Sequence, residues 1–287
     1  MAKRVLLTAD SACDLNAELT ERYNIAAYTP LHIVYDERSY DDNVNITSAE
    51  IYDRFYADGT LPKTAAISVG EYIDFFGGLL DEDTEIVHIN IGSSLSCSHS
   101  NALLAAEQTG SVYVVDSQNL SSGIGLLVIE AAERIAAGMP ARQVAEEVTA
   151  LVPCSHASFV VDTLKFLAAG GRCSALAALG ANLLKIKPSI EVDNQGGGAM
   201  SVAKKYRGKY AACVSEYVRD QLARYDNIRT DRVFMTHSNI EPEYLEAMRT
   251  ALEEDGRFKE ILDTSACCTI ASHCGPNCIG VLFMTES

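Results

Sequence analysis

Two periodicities of apolar and polar positions alternate along the chain. Val5-Leu6-Leu7 is a continuous apolar run, read as a buried strand that ends at Asp10 and Ser11. Asp14 is expected to cap a helix carrying Leu15 and Leu19, and residues 26–34 predict a second strand. Thr47-Ser48-Ala49-Glu50 and Ser68-Val69-Gly70-Glu71 are capping boxes, in which a hydroxyl and a carboxylate three residues apart satisfy each other's backbone amides. They predict helices running to Phe55 and Leu80. Residues 85–91 are apolar and β-branched, hence a strand. A serine-rich turn then leads into a helix over residues 95–108. Residues 111–115 predict another strand, and residues 121–137 and 141–151 predict helices separated by Gly138 and Pro140.

This alternation of strand and helix predicts a parallel sheet covered on both faces. Pro153 marks a boundary. Beyond it the spacing predicts a strand over 157–161, a helix over 163–169 stopped by Gly170-Gly171, and a helix over 174–184. Residues 188–192 and 199–204 read as a hairpin around Asn194-Gln195-Gly196-Gly197-Gly198. Helices over 210–225 and 242–253 follow, with strands over 233–236, 258–262 and 279–284. The expected architecture is α/β in two domains. Residues 1–152 form an N-terminal α/β/α domain on a parallel sheet, and residues 153–287 form a C-terminal α+β domain with a mixed sheet. Ligands of parallel sheets sit beyond the carboxyl ends of the strands. That rule points to Asp10-Ser11, the loop before Ser68, residues 92–98, and Asp116-Ser117.

Composition narrows the function. The 287 residues are 48% hydrophobic and 22% charged, which is globular. No apolar run approaches the roughly 18 residues of a membrane span, and Met-Ala-Lys-Arg-Val-Leu-Leu passes straight to Asp10 without a secretory segment. A cytoplasmic protein with no integral membrane segment is expected. The net charge of −16 disfavours nucleic acid as a partner. Within that acidic chain, residues 165–209 hold eight basic side chains against two acidic ones, which suggests an anion site or, more plainly, a solvated face. The nine cysteines show no paired metal spacing. Cys267 and Cys268, adjacent on a supposed strand, would point opposite ways, so buried reduced thiols are expected and no metal.

Gly92-Ser93-Ser94-Leu95-Ser96-Cys97-Ser98 follows a strand and opens a helix. Free amides and hydroxyls there suit a carboxylate or a phosphate, although serines acting as ordinary caps give the same pattern. The closing glycine of a nucleophile elbow is missing. Gly123-Ile124-Gly125 lacks the third glycine of a dinucleotide fingerprint, and no phosphate-binding loop, zinc-protease helix or kinase set is present. Arg172, in a helix-to-helix turn behind Gly170-Gly171, and Arg207, in Lys205-Tyr206-Arg207-Gly208, offer planar forks for an anion. His273, in Ser272-His273-Cys274-Gly275-Pro276-Asn277, has the most loop-like setting of the histidines. His88 and His32 read as satisfied core residues.

Taken together these blocks resemble the DegV family of bacterial fatty-acid-binding proteins over essentially the whole chain. Asp10-Ser11-Ala12-Cys13-Asp14-Leu15 looks like the family's Asp-Ser-x-x-Asp-Leu. The segment from Thr64 to Tyr72 corresponds to its Thr-Ser-Gln-Pro segment and following helix, and Ser93 to Ser98 to its Ser-Ser-x-Leu-Ser-Gly-Thr. Val115-Asp116-Ser117, Gly170-Gly171-Arg172, Leu184-Lys185-Ile186-Lys187-Pro188, Lys205-Tyr206-Arg207-Gly208 and Ser272-His273-Cys274-Gly275-Pro276 complete the set. The resemblance implies a long-chain fatty acid in a tunnel between two domains, and no cofactor. It implies that Thr64 and Ser96 hold the carboxylate with His273 nearby, and that Ser94 and Cys97 belong to the same site. It further implies a protein that is not itself an enzyme but presents the carboxylate to the ATP-binding subunit of a fatty acid kinase, with Arg172 and Arg207 serving phosphotransfer. Ala65-Ala66-Ile67, Cys97, Ser98 and Asn277 depart from the family pattern and bear on headgroup geometry and on which acid is held. Two other readings stay open: an enzyme acting on a small phosphorylated metabolite, and a lipid carrier without a kinase partner.

Overall fold

A computed structural model describes residues 3–173 and 186–286. The helix expected over 174–184, Lys185 of the basic segment, and Leu184-Lys185 of one family block lie outside the described residues.

The first half runs β1 (Arg4–Asp10), α1 (Ala17–Arg22), β2 (Ala27–Thr29), β3 (His32–Tyr35), β4 (Arg38–Asp41), α2 (Ser48–Asp58), β5 (Lys63–Ala65), α3 (Val69–Leu79), β6 (Thr84–Asn90), α4 (Ser98–Thr109), β7 (Val112–Asp116), α5 (Ser122–Ala136) and α6 (Ala141–Leu151). The second runs β8 (Ser155–Val160), α7 (Lys165–Gly170), β9 (Lys187–Asp193), β10 (Ala199–Tyr206), α8 (Tyr210–Ala223), β11 (Val233–Ser238), α9 (Pro242–Asp255), β12 (Ile261–Ser265), α10 (Cys268–Cys274) and β13 (Cys278–Met284).

Strands β2-β1-β6-β7 form the expected parallel sheet. A mixed sheet in the order β10-β9-β8-β13-β11-β12 carries the second half, with only its β11–β12 pair parallel. Helix α5 lies between them. Every residue from Ser122 to Ala132 is buried, as a helix segment covered on every side must be, and the helix packs on β1 and β6 of one sheet and on β8 and β13 of the other. Both capping boxes close as expected, Thr47 with Glu50 and Ser68 with Glu71.

Four expectations fail for identifiable reasons. The strand over 26–34 breaks at Pro30, which has no amide to donate to a ladder. Its first part, β2, stays with β1. Its second, β3, leaves to form a small antiparallel sheet with β4 and β5. Asp14 does not cap α1: its backbone is left-handed, at φ 54°, and Asn16 Oδ1 accepts the Leu19 amide instead. Helix α4 begins three residues late, at Ser98, because the serine turn continues to Cys97. Finally, Cys267 and Cys268 are not on a strand and His273 is not in an open loop; residues 268–274 are the helix α10.

Candidate functional site

A cavity of about 440 Å³ opens where the two halves meet, within the range of roughly 300–1,000 Å³ found for small-molecule sites. Its wall is largely apolar, with Leu31, Ile91 and Leu120 from the first half and Phe159, Met200 and Leu282 from the second. Polar side chains enter that wall at a few places. Thr64, Ser94, Ser96, Cys97, Arg172 and His273 all line the cavity; Arg207, exposed between β10 and α8, does not.

The pair Thr64 and His273 is built from both halves. Thr64 comes from β5 of the small sheet, and His273 from the last turn of α10. Thr64 Oγ1 and His273 Nε2 are 2.8 Å apart. The other ring nitrogen, Nδ1, is buried without a partner. It lies under Gly170: a Cβ at that position would fall 2.0 Å from Nδ1, so only glycine permits the approach. A buried, unpaired N–H is costlier than an unpaired lone pair, so the proton is assigned to Nε2. That N–H donates to Thr64 Oγ1 and leaves the threonine hydrogen free. Burial, aided by the nearby Arg172 charge, lowers the His273 pKa to about 4, so the ring is neutral at pH 7.

Ser96 is arranged the same way. Its Oγ accepts the Ser98 amide at 3.2 Å and lies 2.9 Å from Ser98 Oγ. Either hydroxyl can donate in that second bond. Ser94 differs, since its hydroxyl donates to Gly196 O at 2.8 Å and is spent. Thr64, with its oxygen occupied and its hydrogen available, and Ser96 beside it on the cavity wall make a receptor for an acceptor group, and a carboxylate is acceptor-only.

The loop bearing these serines is fixed from below and from the side. Asp10, fully buried, accepts the Ile91 amide at 2.9 Å, the Tyr72 hydroxyl at 2.7 Å and the Asn90 side-chain amide at 3.2 Å. Asp116 accepts the Ser93 amide. From the second half, the turn joining β9 and β10 reaches over: Gly197 O accepts the Ser94 amide at 2.9 Å, and Gln118 Oε1 accepts the Gly197 amide.

The family model described as "Uncharacterised protein, DegV family" matches residues 4–286. The chain belongs to the DegV family. A DegV domain-containing protein of Deinococcus radiodurans is 29% identical over 280 residues, covering 96% of this chain and 97% of that protein. A fatty-acid-binding DegV family protein of Thermus thermophilus superposes with a TM-score of 0.87 at 27% identity, covering 99% of this chain and all of that one. A DegV lipid-binding protein of Thermotoga maritima shares the fold, with a TM-score of 0.84 at 24% identity over 99% of both chains.

Within this DegV chain the opening Asp-Ser-x-x-Asp motif is a stitch between halves. Asp14 accepts the Ser121 hydroxyl and, at 2.9 Å, the amide of Cys267. Asp42 accepts the Cys268 amide at 2.7 Å and the Ser11 hydroxyl. These two carboxylates supply the amide partners that α10 lacks locally, and so aim the helix that carries His273. Asn277 is one of the positions expected to depart from the family pattern. It keeps the left-handed backbone at φ 57°, and its Oδ1 accepts the Glu241 amide. Cys97, by contrast, puts an exposed thiol at the cavity wall. Eight of the nine cysteines are buried. Among the described residues no group of three His, Cys, Asp or Glu side chains is placed to hold a metal, and no described helix is long and apolar enough to cross a membrane. Two of the eight basic side chains of the basic segment are already paired: Lys187 with Asp162, and Lys204 with Glu216 and Asp220. Asp42, Thr269 and the Gly196-Gly197 turn were not singled out by the sequence. The last was visible only as a hairpin turn.

Proposed function

We propose that this chain binds one long-chain fatty acid in the cavity between its halves and presents the carboxylate to a separate ATP-dependent kinase that forms the acyl phosphate. The observation that carries this is the pair of hydroxyls, on Thr64 and Ser96, lining a largely apolar cavity. The fatty-acid-binding relative from Thermus thermophilus supports the same ligand class. Each buried methylene contributes about 0.8 kcal/mol, so ~15 of them supply ~12 kcal/mol gross. The acyl chain therefore provides the affinity, and the hydroxyls set register and orientation. Arg172 lies at the cavity wall and Arg207 on the exposed loop after β10, where they would steady phosphate charge as it develops. The chain supplies no catalytic group of its own in this scheme and acts in the cytoplasm.

Mass spectrometry of ligand extracted from the purified protein tests the first half of the proposal. One fatty acid per chain is expected; an empty protein that turns over a phosphate ester would replace this reading with an enzyme. Arg207→Ala tests the second half. Binding should persist while acyl phosphate formation by the kinase falls, and unchanged formation removes Arg207 from the scheme.

A further inference from the structure

The cavity wall carries more hydroxyls than a carboxylate needs, and most of them are committed. The Ser121 hydroxyl goes to Asp14, Ser158 lies 2.8 Å from Tyr217 Oη, and Thr236 lies 2.7 Å from Ser122 Oγ and 3.0 Å from Thr264 Oγ1. Ser238 is taken by Tyr52. Among the buried hydroxyls of the wall, Thr269 is the exception. It is only 4% exposed, it lines the cavity, and its Oγ1 has no hydrogen-bond partner. Thr269 is the second residue of α10, so the carbonyl four residues back, to which a helical threonine commonly donates, belongs to β12 and not to the helix. Such a group, both donor and acceptor, loses its water on burial and gains nothing in return unless a ligand pairs with it.

Position gives the site its meaning. Thr269 and His273 are four residues apart on α10, hence on one face and roughly 6 Å apart along the axis. Ile270 and Cys274 complete the same cavity-facing stripe. A fatty acid with its carboxylate at Thr64, Ser96 and His273 would pass Thr269 a few carbons along its chain. We propose that Thr269 is a second polar subsite, which selects fatty acids bearing an oxygen substituent, a hydroxyl or a keto group, on the carboxyl-proximal part of the chain. This rests on the fatty-acid reading above. A plain methylene opposite Thr269 leaves the hydroxyl unpaired, whereas a substituent at the matching carbon pairs with it and keeps the rest of the chain in the apolar wall.

The test is a set of dissociation constants for hexadecanoic acid and its monohydroxy isomers substituted at carbons 3 to 9, by calorimetry, on the wild type, Thr269→Val and Thr269→Ser. One isomer, or two adjacent ones, should bind the wild type about tenfold better relative to hexadecanoic acid than the remaining isomers do. That preference should vanish in Thr269→Val, with hexadecanoic acid still bound, and survive in Thr269→Ser. A flat ranking of isomers on the wild type, which needs no variant to fold, overturns the subsite, as does a preference that persists in a folded Thr269→Val. If the wild type binds none of these acids, the fatty-acid reading itself fails instead.

Discussion

Side chains in the cavity are told apart by where their hydrogens go. Thr64 and Ser96 both receive donors from the protein, which leaves the Thr64 hydrogen for a ligand, while Ser94 gives its own to Gly196. Thr64→Val removes a donor to a charged acceptor and strands the His273 N–H. Affinity for hexadecanoate should fall by roughly 2 kcal/mol, about thirtyfold, in a calorimetric titration; a loss below threefold would place the carboxylate elsewhere. None of this commitment of hydrogens was readable from spacing. Thr64 was named through family likeness alone, Ser96 also through the serine turn, and the sequence context of His273 pointed to the wrong element. Its exposure was overestimated for the same reason, since a Gly-Pro sequence follows α10 and does not include the histidine.

At the scale of elements, the legible pieces are those whose partners are close in sequence. The capping boxes at Thr47 and Ser68 close within three residues, and the apolar runs of β1, β6 and β13 carry their own signal. Helix α10 was illegible because its N-terminal amides are satisfied by Asp14 and Asp42, more than two hundred residues away. The β9–β10 turn was legible as a turn, but its clasp on the serine loop was not. Gly197 makes that clasp possible. Its φ is 71°, and a Cβ there would sit 2.4 Å from Ser94 Oγ. Gly197→Ala should push Ser94 off the hairpin and loosen the headgroup loop. Dissociation of bound fatty acid, followed by stopped-flow, should accelerate about tenfold; an unchanged rate would mean that the clasp does not hold the loop. Much of that variant's effect should appear in the off-rate, since the apolar wall is untouched.

Taken whole, the molecule is joined by groups whose ionisation it perturbs. Burial raises the Asp14 pKa from 3.8 to about 7, against the opposing hydrogen bonds from Ser121 and Cys267. The folded chain therefore holds a proton there that the unfolded chain releases. Asp14 contributes stability that is fully present below about pH 4 and is lost as pH rises toward 7. His273 and His156, both lowered by burial to about 4, act in the opposite sense and favour folding above pH 6.5. Asp14→Asn keeps an acceptor for Cys267 and removes only the titration. Between pH 4 and 7 its unfolding free energy from urea titrations should rise with pH more steeply than that of the wild type, by about one proton's worth of slope. Parallel curves would show that Asp14 is ionised throughout.

The cavity wall is contributed by both sheets, with α5 wedged between them and Asp14 and Asp42 fastening α10 across the seam. An acyl chain lying there is interior to each half at once, and neither half can come apart without wetting it. Its occupancy thus adds to how cooperatively the protein melts: filled, the core that the two halves already hold in common is extended, and they should lose structure in a single transition.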